Sequence, residues 1–126
     1  MRLKADIWVM AYVRRVNGAG AMAMVLKRGD ADAGAIYIKI AEAGGGPAWR
    51  EDRKAALYGP APAGFDEGAS DRRWVCLHDA ATLESVVDAA LDRQRKFDAD
   101  IWIVEVDDRD GRHFLDDWLM APIPDS

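Results

Sequence analysis

Arg28-Gly29-Asp30-Ala31-Asp32-Ala33-Gly34 is the densest run of polar, geometry-demanding residues in the chain. Carboxylates at i and i+2 can share a hard divalent cation, which wants clustered oxygens, and flanking glycines let the backbone come close to a ligand. The spacing departs from that of a calcium loop: Gly34 comes one position early, and Ala41 stands where a closing bidentate glutamate belongs. The same residues also serve a turn, with Asp30 and Asp32 capping the backbone and Arg28 pairing with one of them. Arg28, Asp30 and Asp32 are the first candidates for a ligand or partner contact. The alternative chemistry is a small metal-assisted enzyme that uses Asp30, Asp32 and Glu105.

Three other sets contain reactive groups. Asp98, Asp100, Glu105, Asp107, Asp108 and Asp110 could supply a pair of carboxylates for acid–base hydrolysis, although charges at strand ends and turns also belong to a solvated surface. Cys76 and His78 share a strand face, with His113 further on, but a cysteine nucleophile needs a base within reach and a depressed pKa, and a small buried thiol is the commoner role. Arg72 and Arg73, with Arg93 and Arg95 near the end of a helix, could form an anion-binding patch, while basic residues there also complement the helix dipole. One cysteine and two histidines do not make a structural zinc site. Gly18-x-Gly20 lacks the third glycine and the lysine of a phosphate loop. No metal site and no cofactor is expected, and no residue is assigned as catalytic.

These groups must be held by elements that the hydrophobic pattern outlines. Leu3 to Val16 reads as a helix, with Leu3, Ile7, Met10, Ala11 and Arg14 at helical spacing and a stop at Asn17-Gly18. Ala21 to Arg28 and Ala35 to Ala41 read as two strands of a β-hairpin with the Arg28–Gly34 run at its tip. In the second, Ile36, Ile38 and Ile40 alternate against Tyr37 and Lys39, which sets a buried face against a wetter one. Gly44-Gly45-Gly46-Pro47 breaks any regular element. A short strand from Ala55 to Tyr58 ends at Gly59-Pro60, and Ala63 to Asp71 is loop by composition. Arg72 to Leu77 is the next strand. Thr82 to Phe97 is the clearest helix, with Leu83, Val86, Val87, Ala90, Leu91 and Phe97 on one stripe. Asp100 to Asp107 carries apolar side chains on most of both faces and so belongs in the centre of a sheet. Asp108-Arg109-Asp110-Gly111 turns the chain, and Arg112 to Leu115 is expected to return as a partner strand.

The order of elements is not a regular βαβ alternation. It predicts an α+β fold: a mainly antiparallel sheet of about five to six strands with two helices packed on one face. Residues 1–126 form a single domain in this reading, with 121–126 a frayed tail. Five tryptophans, Trp8, Trp49, Trp74, Trp102 and Trp118, suggest an aromatic sheet face that a second copy could cover, so a homodimer is one expected partner.

Composition narrows the function classes. Half of the 126 residues are hydrophobic and 31% are charged, the balance of a globular chain. The net charge of -5 is uneven: from Asp98 onward nine acidic residues face Arg109 and Arg112 alone, a balance of -7. Nucleic-acid binding through arginine doublets is therefore disfavoured, since phosphate contacts call for a basic footprint. No apolar run approaches the roughly 18 residues that span a bilayer, so no membrane partner is expected. The single Cys76 fits a reducing compartment, and a soluble, unexported, cytoplasmic protein is expected.

Arg2-Leu3-Lys4-Ala5-Asp6-Ile7-Trp8-Val9, the Arg28–Ala35 run, Leu57-Tyr58-Gly59-Pro60-Ala61-Pro62, Arg93-Gln94-Arg95, Asp100-Ile101-Trp102-Ile103-Val104-Glu105 and Asp108-Arg109-Asp110-Gly111-Arg112-His113-Phe114-Leu115 occur here together. In combination they resemble domain of unknown function family 1491, small proteins of alphaproteobacteria, over nearly the whole chain. The resemblance implies a bacterial cytoplasmic setting and one domain, and carries over no catalytic residue. The reading that results is a small binding or interaction module for a protein or small-molecule partner or for a second copy.

Overall fold

The computed structural model describes residues 3–42, 51–62, 72–116, 118 and 119. The expected breaks at 44–47 and 63–71 and the expected tail at 121–126 lie outside them. Helix α1 (Ala5–Gly18) is followed by strands β1 (Met22–Lys27), β2 (Ile36–Glu42), β3 (Ala55–Pro60) and β4 (Trp74–His78), helix α2 (Glu84–Phe97) and strand β5 (Trp102–Asp108). The strands form one sheet in the order β1-β5-β2-β3-β4, antiparallel throughout except for the parallel β2–β5 pair. Two helices with a mixed, mostly antiparallel five-stranded sheet make an α+β fold.

β5 takes the interior position that its two apolar faces demand, with Ile101 and Ile103 buried on one side and Trp102, Val104 and Val106 on the other. To reach it, β5 inserts between β1 and β2, so the expected hairpin does not form. The Arg28–Gly34 run instead crosses over the start of β5. Glycine is required at this crossing: a Cβ on Gly29 would fall on the Asp100 carbonyl, and one on Gly34 would stand 2.5 Å from the same oxygen. The turn chemistry was legible, but hairpin and crossover use the same residues.

The expected placement of both helices on one face also differs from the structure. Ala5, Trp8, Val9, Tyr12 and Val16 of α1 pack with Ile36, Ile38, Ile40, Val104 and Val106, whereas Val87 and Leu91 of α2 pack with Leu57, Ile101 and Ile103 on the opposite face. Because β2 and β5 are apolar on both sides, each face needs its own cover. α1 therefore also shields the aromatic side that a second copy was expected to cover: Trp8, Trp74 and Trp102 are buried there, with Trp118 edge-on to Trp8 at 5.3 Å. Trp49 is outside the described residues. The spacing Leu3–Ile7–Met10 that marks α1 as a helix lies on its outward side, where each residue is about half exposed.

After β5, residues 112–115 form no strand. The buried Asp108 carboxylate gathers the turn instead, accepting from the Arg112 backbone N–H at 2.8 Å and from the Arg112 guanidinium at 2.9 and 3.0 Å. Gly111 there has φ +68°, the left-handed conformation that glycine tolerates.

Candidate functional site

The loop that held the first candidates fastens three parts of the fold together. Asp30 Oδ2 accepts the backbone N–H groups of Ala33 at 2.8 Å and Asp32 at 3.2 Å, and the Asp30 carbonyl accepts the Trp102 indole N–H at 2.8 Å. The carbonyls of Ala31 and Asp32 accept the N–H groups of Asp6 and Ala5, in the first turn of α1. The exposed Asp32 carboxylate lies 3.6 Å from Lys4, and Arg28 lies over the Trp102 ring instead of pairing with either aspartate.

Arg72 is buried and donates to the carbonyls of Gly34, Asp32 and Leu3. Arg73 donates to the Arg72 carbonyl, while Arg93 and Arg95 stand exposed on α2. The four arginines thus occupy different settings. Cys76 is exposed on β4; burial nevertheless pushes its thiol up, with the charge of Asp79 adding to the effect, away from the reactive thiolate form.

The acidic residues separate into two groups. Asp98 and Asp108 serve turns, and the Arg112 guanidinium holds the Asp108 carboxyl down to about 2. Glu105 belongs to a cluster that the sequence did not bring together. The parallel register sets Lys39 of β2 beside Glu105 of β5, and α2 lays Glu84 and Asp88, one turn apart, over them. Lys39 Nζ lies 2.8 Å from Asp88, 2.9 Å from Glu84 and 3.1 Å from Glu105, with its side chain only 6% exposed. Burial opposes its charge, but the three carboxylates outweigh burial and hold Lys39 above the usual lysine range. A lysine nucleophile needs the opposite shift, so Lys39 is a fixed cation. The spacing Glu84-x3-Asp88-x3-Asp92 was visible in the sequence, and its partner on β2 was not.

Beyond this cluster no described element covers the sheet face. α2 packs on β3 and β2, leaving β1 at the edge. Met22 pairs with Asp107 and Met24 with Glu105, so both methionines share the face of those carboxylates. They are 58% and 45% exposed, and Leu26, at the bulge between Val25 and Lys27, is 51% exposed. At one end, Met22 lines a cleft with Asp107, Asp108, Arg109, Asp110 and Arg112. At the other, Lys27 faces Asp92, Arg95 and Lys96 of α2 across a shallow hollow. Among the described strands, none pairs with the outer edge of β1. Asn17 Oδ1 accepts the Ala23 N–H on this edge at 3.0 Å, and beyond that point an apolar edge can accept another chain.

The family described as protein of unknown function (DUF1491) matches residues 3–116. A crystal structure of a DUF1491 family protein from Caulobacter crescentus superposes with a TM-score of 0.73 at 37% identity, covering 96% of this chain and all of that one. An NMR structure of a DUF1491 family protein from the same organism gives 0.73 at 38%, over 96% of this chain and 99% of that chain. A solution structure of an A. tumefaciens protein gives 0.68 at 36%, over 85% and 86%. Among the curated proteins, none matches.

Proposed function

We propose, from the premise that this chain belongs to the DUF1491 family, that it is a protein-binding module whose contact surface is β1 and the uncovered sheet face beside α2. The observation that carries the reading is the pairing of exposed apolar side chains at Met22, Met24 and Leu26 with a strand edge to which no other described strand pairs. Natural proteins usually blunt such an edge with charge or proline, because it invites pairing with another chain. The outward side of α1 also exposes Leu3, Ile7 and Met10, but a helix has its backbone groups already satisfied.

Small-molecule chemistry at the Arg28–Gly34 loop has less support, since the Asp30 carboxylate is occupied by its own turn. The cytoplasm is the setting this reading takes, supported by a single thiol at Cys76. No described helix is long and apolar enough to cross a membrane.

The test is a methyl spectrum of protein labelled at its methionines, recorded in buffer and in a cell extract. Signals of Met22 and Met24 broaden in the extract while that of Met10 on α1 stays sharp. Broadening at Met10 alone, or at none of the three, refutes the proposal.

A further inference from the structure

We infer that the occupant of the β1 face is an extended protein segment combining apolar with cationic side chains; this rests on the binding-module reading above. The argument is charge complementarity. Each exposed methionine has a carboxylate directly beside it, Asp107 at Met22 and Glu105 at Met24. Asp110 joins Asp107 in the cleft that Met22 lines. Across the open face, α2 presents Asp88, half exposed, and the exposed Asp92 one turn on.

The cations nearest the methionines are already committed. Lys39 is held by three carboxylates, and Arg112 is bonded to Asp108. Lys27 donates to the carbonyls of Arg28, Ala99 and Ile101. Exposed Arg109 stands at one end of the strip and Arg95 and Lys96 at the other with Lys27, whose charge its carbonyl acceptors do not cancel; between them three carboxylates against Lys39 alone leave the centre negative.

This pattern selects among partners. A second copy bound symmetrically through the same face would set this negative centre against itself, and an anionic membrane or a nucleic acid would meet the same repulsion there. A strand laid along the β1 edge beyond Ala23, whose N–H Asn17 already holds, meets its remaining outward backbone groups. Its alternate side chains fall on the face of Met22 and Met24, where lysine or arginine between apolar residues reaches Asp107, Asp110 and Asp92.

The probes are two fluorescent nine-residue peptides, one alternating lysine with valine and one with glutamate in place of every lysine, read by anisotropy against the full chain. The lysine peptide binds at least about tenfold tighter than the glutamate peptide, and weakens severalfold when salt is raised to about 0.3 M. Met22→Gln with Met24→Gln, which keeps size and charge, removes most of this binding, and Asp107→Asn with Asp110→Asn reduces it, each in protein whose circular dichroism is unchanged. Equal binding of the two peptides overturns the inference and leaves the binding-module reading standing. Lysine-peptide binding that ignores the methionine substitutions places the cationic site elsewhere, and overturns it too. Binding of neither peptide also overturns it, and the methionine spectra then judge the wider reading separately.

Discussion

Replacing Lys39 by methionine removes the one cation that Glu84, Asp88 and Glu105 share, while keeping most of the apolar stem that fills its place between β2 and α2. Glu84 is 15% exposed and Glu105 25%, so each loses its partner with limited access to water. Breaking one side of a fully buried ion pair costs about 3–5 kcal/mol. Asp88 is half exposed and Arg53 still stands 3.9 Å from Glu84, which brings the expected loss to about 2–4 kcal/mol. In a domain of this size that lowers the melting midpoint by roughly 10 °C.

The pH dependence provides a second and sharper reading. In the parent chain Lys39 is held above its unfolded value. Its contribution is present in full below the unfolded lysine pKa of about 10.4, and is lost only as pH rises beyond that through the folded value. Urea unfolding of both proteins from pH 7 to 11 measures this: the deficit of Lys39→Met stays level up to about pH 10 and shrinks above it. A loss below about 0.5 kcal/mol at neutral pH, the size of a surface pair, or a deficit that does not shrink above about pH 10, would contradict it.

Other outcomes follow from the same geometry. Gly34→Ala drives a methyl group towards the Asp100 carbonyl and should lower stability by at least about 1–3 kcal/mol, checked by urea midpoint. Leu91→Ala opens a gap between α2 and the sheet and should lose about 2–4 kcal/mol, whereas exposed Val86→Ala on the same helix should stay within about 0.5. Asp108, held down to about 2, stabilises the fold above the ordinary aspartate value of about 4, and that contribution is lost as pH falls from there towards 2. Asp108→Asn should flatten this acid window in melting curves. Met24→Gln should change the melting midpoint by less than about 2 °C, because the side chain is exposed, so any loss of binding it causes belongs to the surface.

Local pattern carried much of the fold. The alternation Ile36, Ile38, Ile40 and the two apolar faces of β5 marked an inner sheet face and an interior strand, and helical spacing located both helices. What could not be read was which distant segments meet. Asp and Gly at 29–34 suit a hairpin and a crossover equally, so the insertion of β5 between β1 and β2 left no local mark. In α1 both sides are apolar, and the choice of Trp8, Val9 and Tyr12 for burial is decided by the sheet beneath. The Lys39 cluster depends on a parallel register between strands far apart in the chain, so Glu105 was grouped with its sequence neighbours instead of with Glu84 and Asp88. The exposed methionines of β1 read as ordinary strand residues until the sheet order placed that strand at an edge.

The most direct test of the central claim is photocrosslinking in cells from a benzophenone side chain placed at position 24 on β1 or at position 10 on α1, both in apolar, half-exposed sites. A discrete protein adduct is expected from position 24, absent from position 10, whose partner peptide carries lysine or arginine among apolar residues. Adducts from position 10 alone, or from neither position, would contradict it.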